Sequence, residues 1–248
     1  MRLEIVALSL PEVQPGDDLA SLIGQAAIRE ATAGIDQTIV MAVAQKVVSK
    51  AEGALVDLRE IQPSALARSW AAEWKKDARL IELILAQSRR IVKMDRGVII
   101  SETQHGFVCA NAGVDQSNVS GEHFATILPA DSDASARRLH AALHCGAVLI
   151  TDTFGRPWRE GLVDVAIGVA GLDPLDDYRG RADRHGRKLE STILAVADQL
   201  AAAAGLVMKK DSGCPVALIR GFEWQPGTDR SRGSGRELLR KPEQDLFR

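Results

Sequence analysis

Residues 37–45 read QTIVMAVAQ. The apolar run at the centre has strand length and no polar alternation. A strand with one face in water alternates; a continuous run fits a strand covered on both faces. AVLITDT at 147–153 repeats the pattern and then turns polar. Two such strands call for a sheet with helices packed on both sides.

The neighbouring segments supply those helices. Residues 16–31, GDDLASLIGQAAIREA, carry Leu19, Leu22, Ile23 and Ala26 on one helical face, with Asp17 or Asp18 as the cap. Residues 63–76 open with Ser64 as a cap, and a further helix covers 79–88. DSDASARRLHAALHCG (131–146) begins with acidic caps and stops at Gly146. The Ala-rich stretch 188–208 predicts one long helix. Further strands are expected at 3–10, 91–94, 98–102, 106–110, 162–170 and 215–221. Helices and strands mix without strict alternation, which gives an α/β or α+β class with a mixed sheet. The expected organisation is a single unit over 1–248, with room for two intertwined subdomains and an extended polar tail over 223–248.

Composition narrows the function. Acidic residues (33) nearly balance basic ones (31), so the chain has no electrostatic footprint for nucleic acid. Three scattered cysteines, Cys109, Cys145 and Cys214, include no CxxC pair and argue for a reducing compartment. The start has no apolar signal-like run, and Asp164 interrupts the longest apolar candidate for a membrane span. A cytoplasmic protein without membrane contact is expected. GxxxxGK[ST] and GxGxxG are both absent, so a bound nucleotide would use neither a P-loop nor a Rossmann turn.

Short polar residues gather where strands end. CANAGVDQSNVS (109–120) follows Phe107 and Val108, and Asp115 stands in it beside Asn111, Gly113 and Asn118. Asp152 and Thr153 end the strand at 147–153. Oxygen ligands at strand ends suit a hard cation such as Mg²⁺. Gly113 would let backbone approach a ligand, and the two asparagines offer amides to a base or sugar. The same residues also make ordinary turns, and that reading stays open. In QKVVSKAEG (45–53), Lys46 and Lys50 offer ammonium groups to phosphate, or merely form a solvated loop. Arg156 and Arg159, around a Gly-Arg-Pro turn, suit two-point contact with a carboxylate, or sit on a surface turn over a packed Trp158. His140 and His144 lack a metalloprotease pattern.

Taken together, several stretches resemble the coenzyme F420-0:L-glutamate ligases, or F420 gamma-glutamyl ligases. They are LPEVQPGDDL, VMAVAQKVVSKAEGALVDL, HGFVCANAGVDQSNV, LPADSDASARRL, ITDTFGRPWREGLVDVAIGVAGLDPLDDYRGRAD, VADQLAAAAGLVMKK and the end LLRKPEQDLFR. They occur in family order across nearly the whole chain, in the stand-alone form. The resemblance implies an unusual mixed-sheet fold and a homodimer. It implies a GTP-dependent enzyme joining L-glutamate to the carboxylate of F420-0 through an acyl phosphate, with further gamma-linked glutamates as an extension. Mg²⁺ or Mn²⁺ is the implied metal, with a response to K⁺.

Carried over by position, the resemblance implies nucleotide contacts at Leu10, Pro11, Glu12, Val13, Gln45, Lys50 and Asn118. It extends them through Leu206, Val207, Met208, Lys209, Lys210, Asp211, Ser212 and Gly213. It puts metal ligands at Asp115, Asp152 and Thr153, and catalytic roles at Asp115, Asp152 and Lys50. Arg156 and Arg159 as substrate-carboxylate contacts are our own reading of the residues. The chain departs from the family pattern at Ser132 and His140 and in a short loop over 120–126, which bears on the acceptor site. Two alternatives stay open: the same mechanism with another carboxylate acceptor, and a nucleotide-binding paralogue without catalysis.

Overall fold

The computed structural model describes residues 2–31, 34–117, 121–224 and 233–245. Its main sheet has five strands in the order β1 (Glu4–Leu8), β12 (Val216–Arg220), β2 (Val40–Ala44), β8 (Ala147–Arg156), β9 (Arg159–Ala170). β2 and β8 run parallel, with Ala44 opposite Thr151; the other pairs are antiparallel. The fold is therefore a mixed α/β arrangement with a mixed sheet.

The sheet has helices on both faces, and β2 shows why its sequence does not alternate. Met41 and Val43 point into one core with Ile23 of α1 (Leu19–Glu30) and Ala136 and Leu139 of α5 (Ser132–Leu143). Val40 and Ala42 point into the other, against Ala197, Leu200, Ala201 and Ala204 of α6 (Val196–Gly205). Val40 to Val43 each meet apolar surface, so these positions do not alternate. Caps fall where the sequence puts them: Asp18 accepts from the Ser21 amide and Asp131 from the Ala134 amide.

A second layer forms its own core. α3 (Ala65–Trp74) and α4 (Ala78–Gln87) pack with Leu58, Ile99, Val114 and Ala125. This core is flanked by β4 (Ser88–Asp95), β5 (Val98–Thr103) and β6 (Val108–Ala110), and by the pair β3 (Leu55–Asp57) and β7 (Phe124–Thr126). Phe107 meets Phe154 of β8 edge-on at 6.3 Å, which ties this layer to the main sheet.

Four expectations need correction. Residues 45–51 form a helix, α2 (Gln45–Ala51), not a polar loop. It starts directly from β2, with Ala44 at the cap position and no side-chain cap to signal it. The long helix over 188–208 is shorter, because Ile193–Leu194 forms a strand, β11, paired with β10 (Asp176–Asp177). Helix α5 ends at His144 in the left-handed conformation (φ 52°), two residues before Gly146. In the tail, the described residues from 233 on include short 3₁₀ turns at Gly235–Leu238 and Pro242–Gln244, so that part is not simply extended. The rest of the tail, 225–232 and 246–248, lies outside the described residues.

Gly168 on β9 marks the tightest contact between sheet and helix. A Cβ there would lie 2.3 Å from the Ser132 carbonyl oxygen at the start of α5, and Asp133 of the same turn accepts from the Val169 amide at 2.9 Å. The obstacle is backbone, which cannot swing aside. Gly168→Ala is expected to destabilise the protein by about 3 kcal/mol, read as a lower midpoint in chemical denaturation; a change below about 0.5 kcal/mol would contradict this packing.

Candidate active site

The parallel pair β2–β8 ends in a cavity of about 290 Å³. Ligand sites in sheets of this kind lie beyond the carboxyl ends of the strands. β2 delivers Ala44 and then Gln45, Lys46, Val47 and Lys50 of α2; β8 delivers Thr151, Asp152 and Thr153. Leu10, Pro11, Glu12 and Val13, after β1, form another wall. Met208, Lys209, Lys210, Asp211 and Gly213, between α6 and β12, form the last. The Leu10 amide donates to the Gly213 carbonyl at 3.3 Å and joins these two walls.

Asp115 reaches the cavity from the second layer. Asn111, Ala112 and Gly113 all have positive φ (55°, 52° and 72°), which turns the chain sharply after β6. Only the glycine is at ease there; asparagine and alanine carry local strain of the kind found at functional sites. Gly113 serves packing as well: a Cβ would come within 2.6 Å of Leu128. Gly113 thus serves the turn and the contact with Leu128. The Asp115 backbone is then locked to Thr126 by reciprocal amide–carbonyl bonds of 3.0 and 2.8 Å.

Each carboxylate in the cavity has a distinct environment. Burial pushes Asp115 up, but the Lys46 ammonium at 2.8 Å and the Ser117 amide and hydroxyl (2.7 and 3.0 Å) outweigh it. Its net pKa is below the ordinary carboxylate value. Asp152 goes the other way. Desolvation raises it to about 6, and the charge of Asp115 adds to the rise. The Thr153 amide, Lys210 and Lys46 only partly offset this. Asp152 is half-buried as a residue, and burial of its carboxyl group is the largest cause of the rise. Lys50 is buried and paired with Glu12 at 2.5 Å.

The donors suit a hard divalent cation. Asp115 and Asp152 offer carboxylate oxygens, Thr153 a hydroxyl, and Asp152 has a desolvated charge that a cation would compensate. Among the described residues no three His, Cys, Asp or Glu side chains gather into a ready-made metal cage.

The cavity brings together Leu10, Pro11, Glu12, Val13, Gln45, Lys50, Asp115, Asp152, Thr153, Met208, Lys209, Lys210, Asp211 and Gly213. Leu206 is instead exposed (74 %), Val207 packs in the core beneath α6, and Ser212 accepts from the Cys214 amide outside the lining. Arg156 and Arg159 lie at the tip of the β8–β9 hairpin, away from the lining. Arg156 donates to the Glu160 and Gly161 carbonyls, so it braces the turn. Trp158, at the same turn, is 80 % exposed rather than packed beneath it. Asn118 lies outside the described residues. His140 is buried and bonded to the Gly146 carbonyl, which makes it a core residue. Burial holds the Cys109 and Cys145 thiols near a pKa of about 12, so neither is poised as a nucleophile.

Asp164 and Cys214 also line the cavity, and sequence reasoning did not place them there. Asp164 carried a signal: it is the one charge inside the apolar run LVDVAIGVAGL.

The sequence matches the F420-0:Gamma-glutamyl ligase family over residues 7–221. The chain belongs to that family. The coenzyme F420:L-glutamate ligase of Methanothermobacter thermautotrophicus is 47 % identical over 245 residues, 96 % of each chain. That of Methanopyrus kandleri is 45 % identical over all of this chain and 98 % of its own. That of Haloarcula marismortui is 37 % identical over 99 % of this chain and 96 % of its own. No helix among the described residues of this F420 ligase family member is long and apolar enough to cross a membrane.

The raised Asp152 has a consequence for stability. The folded protein holds its proton more tightly than the unfolded chain does, so stability falls as pH rises from about 4 to about 6 and stays lower above that. With chelator present, Asp152→Asn is expected to be more stable than wild type above pH 6, by on the order of 1–3 kcal/mol. The gap should close below pH 4. Denaturation midpoints across this range check it; equal stability at pH 8 would contradict it.

Proposed function

We propose that this protein is a GTP-dependent ligase that forms an amide between L-glutamate and the carboxylate of coenzyme F420-0. Family membership over the whole chain supports the reaction class. The observation that carries the chemistry is the convergence of Asp115, Asp152, Thr153 and the lysines Lys46, Lys50, Lys209 and Lys210 on one cavity. Such a set of hard oxygens and ammonium groups fits a metal-bound triphosphate.

A carboxylate forms no amide unaided, because its oxygen is a poor leaving group. In the first step a carboxylate oxygen of the acceptor bonds to the γ-phosphorus of GTP. The bond to the β,γ-bridging oxygen breaks and GDP leaves. In the second step the amine nitrogen of glutamate bonds to the acyl carbon, the carbon–oxygen bond to phosphate breaks, and the surplus amine proton leaves to water. A divalent cation held by Asp115, Asp152 and Thr153 would neutralise charge on the phosphate oxygens.

The chain's own groups do the rest. Lys50, fixed by Glu12, and Lys209 and Lys210, across the cavity, offset phosphate charge as compact cations. The apolar sides of Leu10, Val13, Val47 and Met208 limit water at the acyl phosphate, which water would otherwise hydrolyse. Lys46 holds the Asp115 carboxylate in place through the 2.8 Å pair and a bond to Ser117.

Incubation with GTP, Mg²⁺, glutamate and F420-0, followed by mass spectrometry, tests this reading. A gain of one glutamyl unit with stoichiometric GDP is expected. GDP formed only with another carboxylate acceptor, or no GDP at all, would contradict it. Asp115→Asn should lower kcat/KM at least about a hundredfold, equivalent to ~3 kcal/mol of lost charge stabilisation, with an unchanged denaturation midpoint within about 1 kcal/mol; near-normal turnover would remove Asp115 from the metal site.

A further inference from the structure

We infer that Asp164 is a positioning residue that orients the Thr153 hydroxyl, so that its lone pairs face the cavity. The inference rests on the reading above, in which Thr153 is an oxygen ligand for a divalent cation.

Thr153 on β8 and Asp164 on β9 stand directly opposite each other in the hairpin register. The Thr153 hydroxyl donates to Asp164 Oδ1. A hydroxyl has a single proton, so this bond fixes its direction toward β9. The lone pairs are left for a cationic group on the other side, and Lys210 Nζ donates to that oxygen at 2.7 Å. A hydroxyl without a fixed acceptor turns among staggered positions and offers its lone pairs only part of the time. A charged acceptor also increases the basicity of the oxygen, as outer partners do for ligands in metal sites.

The surroundings are fitted to this carboxylate. Asp164 is half-buried and is the one charge between Leu162 and Ala170 of β9, where a charge without a role is disfavoured. Gly205, at the end of α6, leaves room for it: a Cβ there would lie 2.6 Å from Asp164 Oδ2. Gly205 has no positive φ, so the close approach is the reason for glycine there. Asp115, Asp152 and Asp164 line one cavity but do not form a three-carboxylate cage among the described residues. Asp164 therefore works through Thr153 and is not a third carboxylate ligand.

The test is Mn²⁺ binding by the full chain in the presence of GDP, read as loss of the free-ion signal in electron paramagnetic resonance. Outer-shell partners change metal affinity by roughly 10–100-fold. Asp164→Ala is expected to weaken Mn²⁺ about tenfold, and Asp164→Asn, which keeps an acceptor oxygen, less. Thr153→Val should weaken it too, and the double variant should be no weaker than Thr153→Val alone. Gly205→Ala leaves Asp164 in the sequence and adds a favoured helix residue. It should bind Mn²⁺ several-fold more weakly without a lower melting temperature, because its methyl group displaces the carboxylate. Unchanged affinity in Asp164→Ala beside a loss in Thr153→Val would overturn the inference alone. Additive losses in the double variant would make Asp164 an independent ligand and also overturn it. Wild-type protein that binds no Mn²⁺ would overturn the inference together with the metal-dependent reading beneath it.

Discussion

Asp115 and Asp152 face one cleft, and Asp152 is desolvated. Asp152 lies within β8, just past the last residue that β8 pairs with β2, and burial of its carboxyl group raises it to about 6. Asp115 adds its own negative charge to that cost. Folding alone gains nothing from such an arrangement. It persists because the surrounding structure fixes both residues: Asp152 is paired with Val165 of β9 next to the last β2–β8 pair, and Asp115 is locked to Thr126 through its backbone. Asp115 and Glu12 already have lysine partners and Asp152 is poorly compensated, so the cleft sets a costly carboxylate among lysines, which suits a cation and a polyphosphate together.

The fold serves this cleft from two directions. The main sheet brings β2, β8 and the segments after β1 and α6 to one edge. The second layer supplies only Asp115, through the strained turn at Asn111 and Ala112. Strain is tolerated there because the flanking residues are well packed: Ala112 and Val114 lie in the second core, and Gly113 leaves the space that Leu128 fills. The edge-on contact of Phe107 with Phe154 holds the layers at a fixed spacing close to the site. Site geometry and domain packing are thus one problem here, since moving the second layer moves Asp115 relative to Asp152.

Much of this was legible in the sequence, and the reason lies in particular residues. QTIVMAVAQ and AVLITDT read correctly as doubly covered strands because neither alternates. Asp18, Ser64 and Asp131 marked helix starts through capping chemistry that acts within three residues. Asp115, Asp152 and Thr153 were visible as polar residues just beyond apolar runs. Helix α2 was hidden because it begins on Ala44 without a cap and directly continues a strand. The Ala-rich helix was overextended because pairing of Ile193 and Leu194 with Asp176 and Asp177 overrides local preference. The Lys46–Asp115 pair and the Thr153–Asp164 bond join residues far apart in sequence or on opposite strands, and no local pattern announces them. Asp164 alone left a trace, as the one charge in the apolar run 162–172.

The claim at the centre is that Asp115, from the segment after β6, and Asp152, from within β8, bind the same metal ion that holds the nucleotide's phosphates. The most direct measurement is the anomalous scattering of Mn²⁺ in crystals grown with a non-hydrolysable GTP analogue. The account predicts a manganese peak about 2.0–2.3 Å from carboxylate oxygens of both residues, with γ-phosphate oxygens completing its shell. Manganese bound elsewhere, or phosphates seated in the cavity with neither aspartate near the metal, would contradict it.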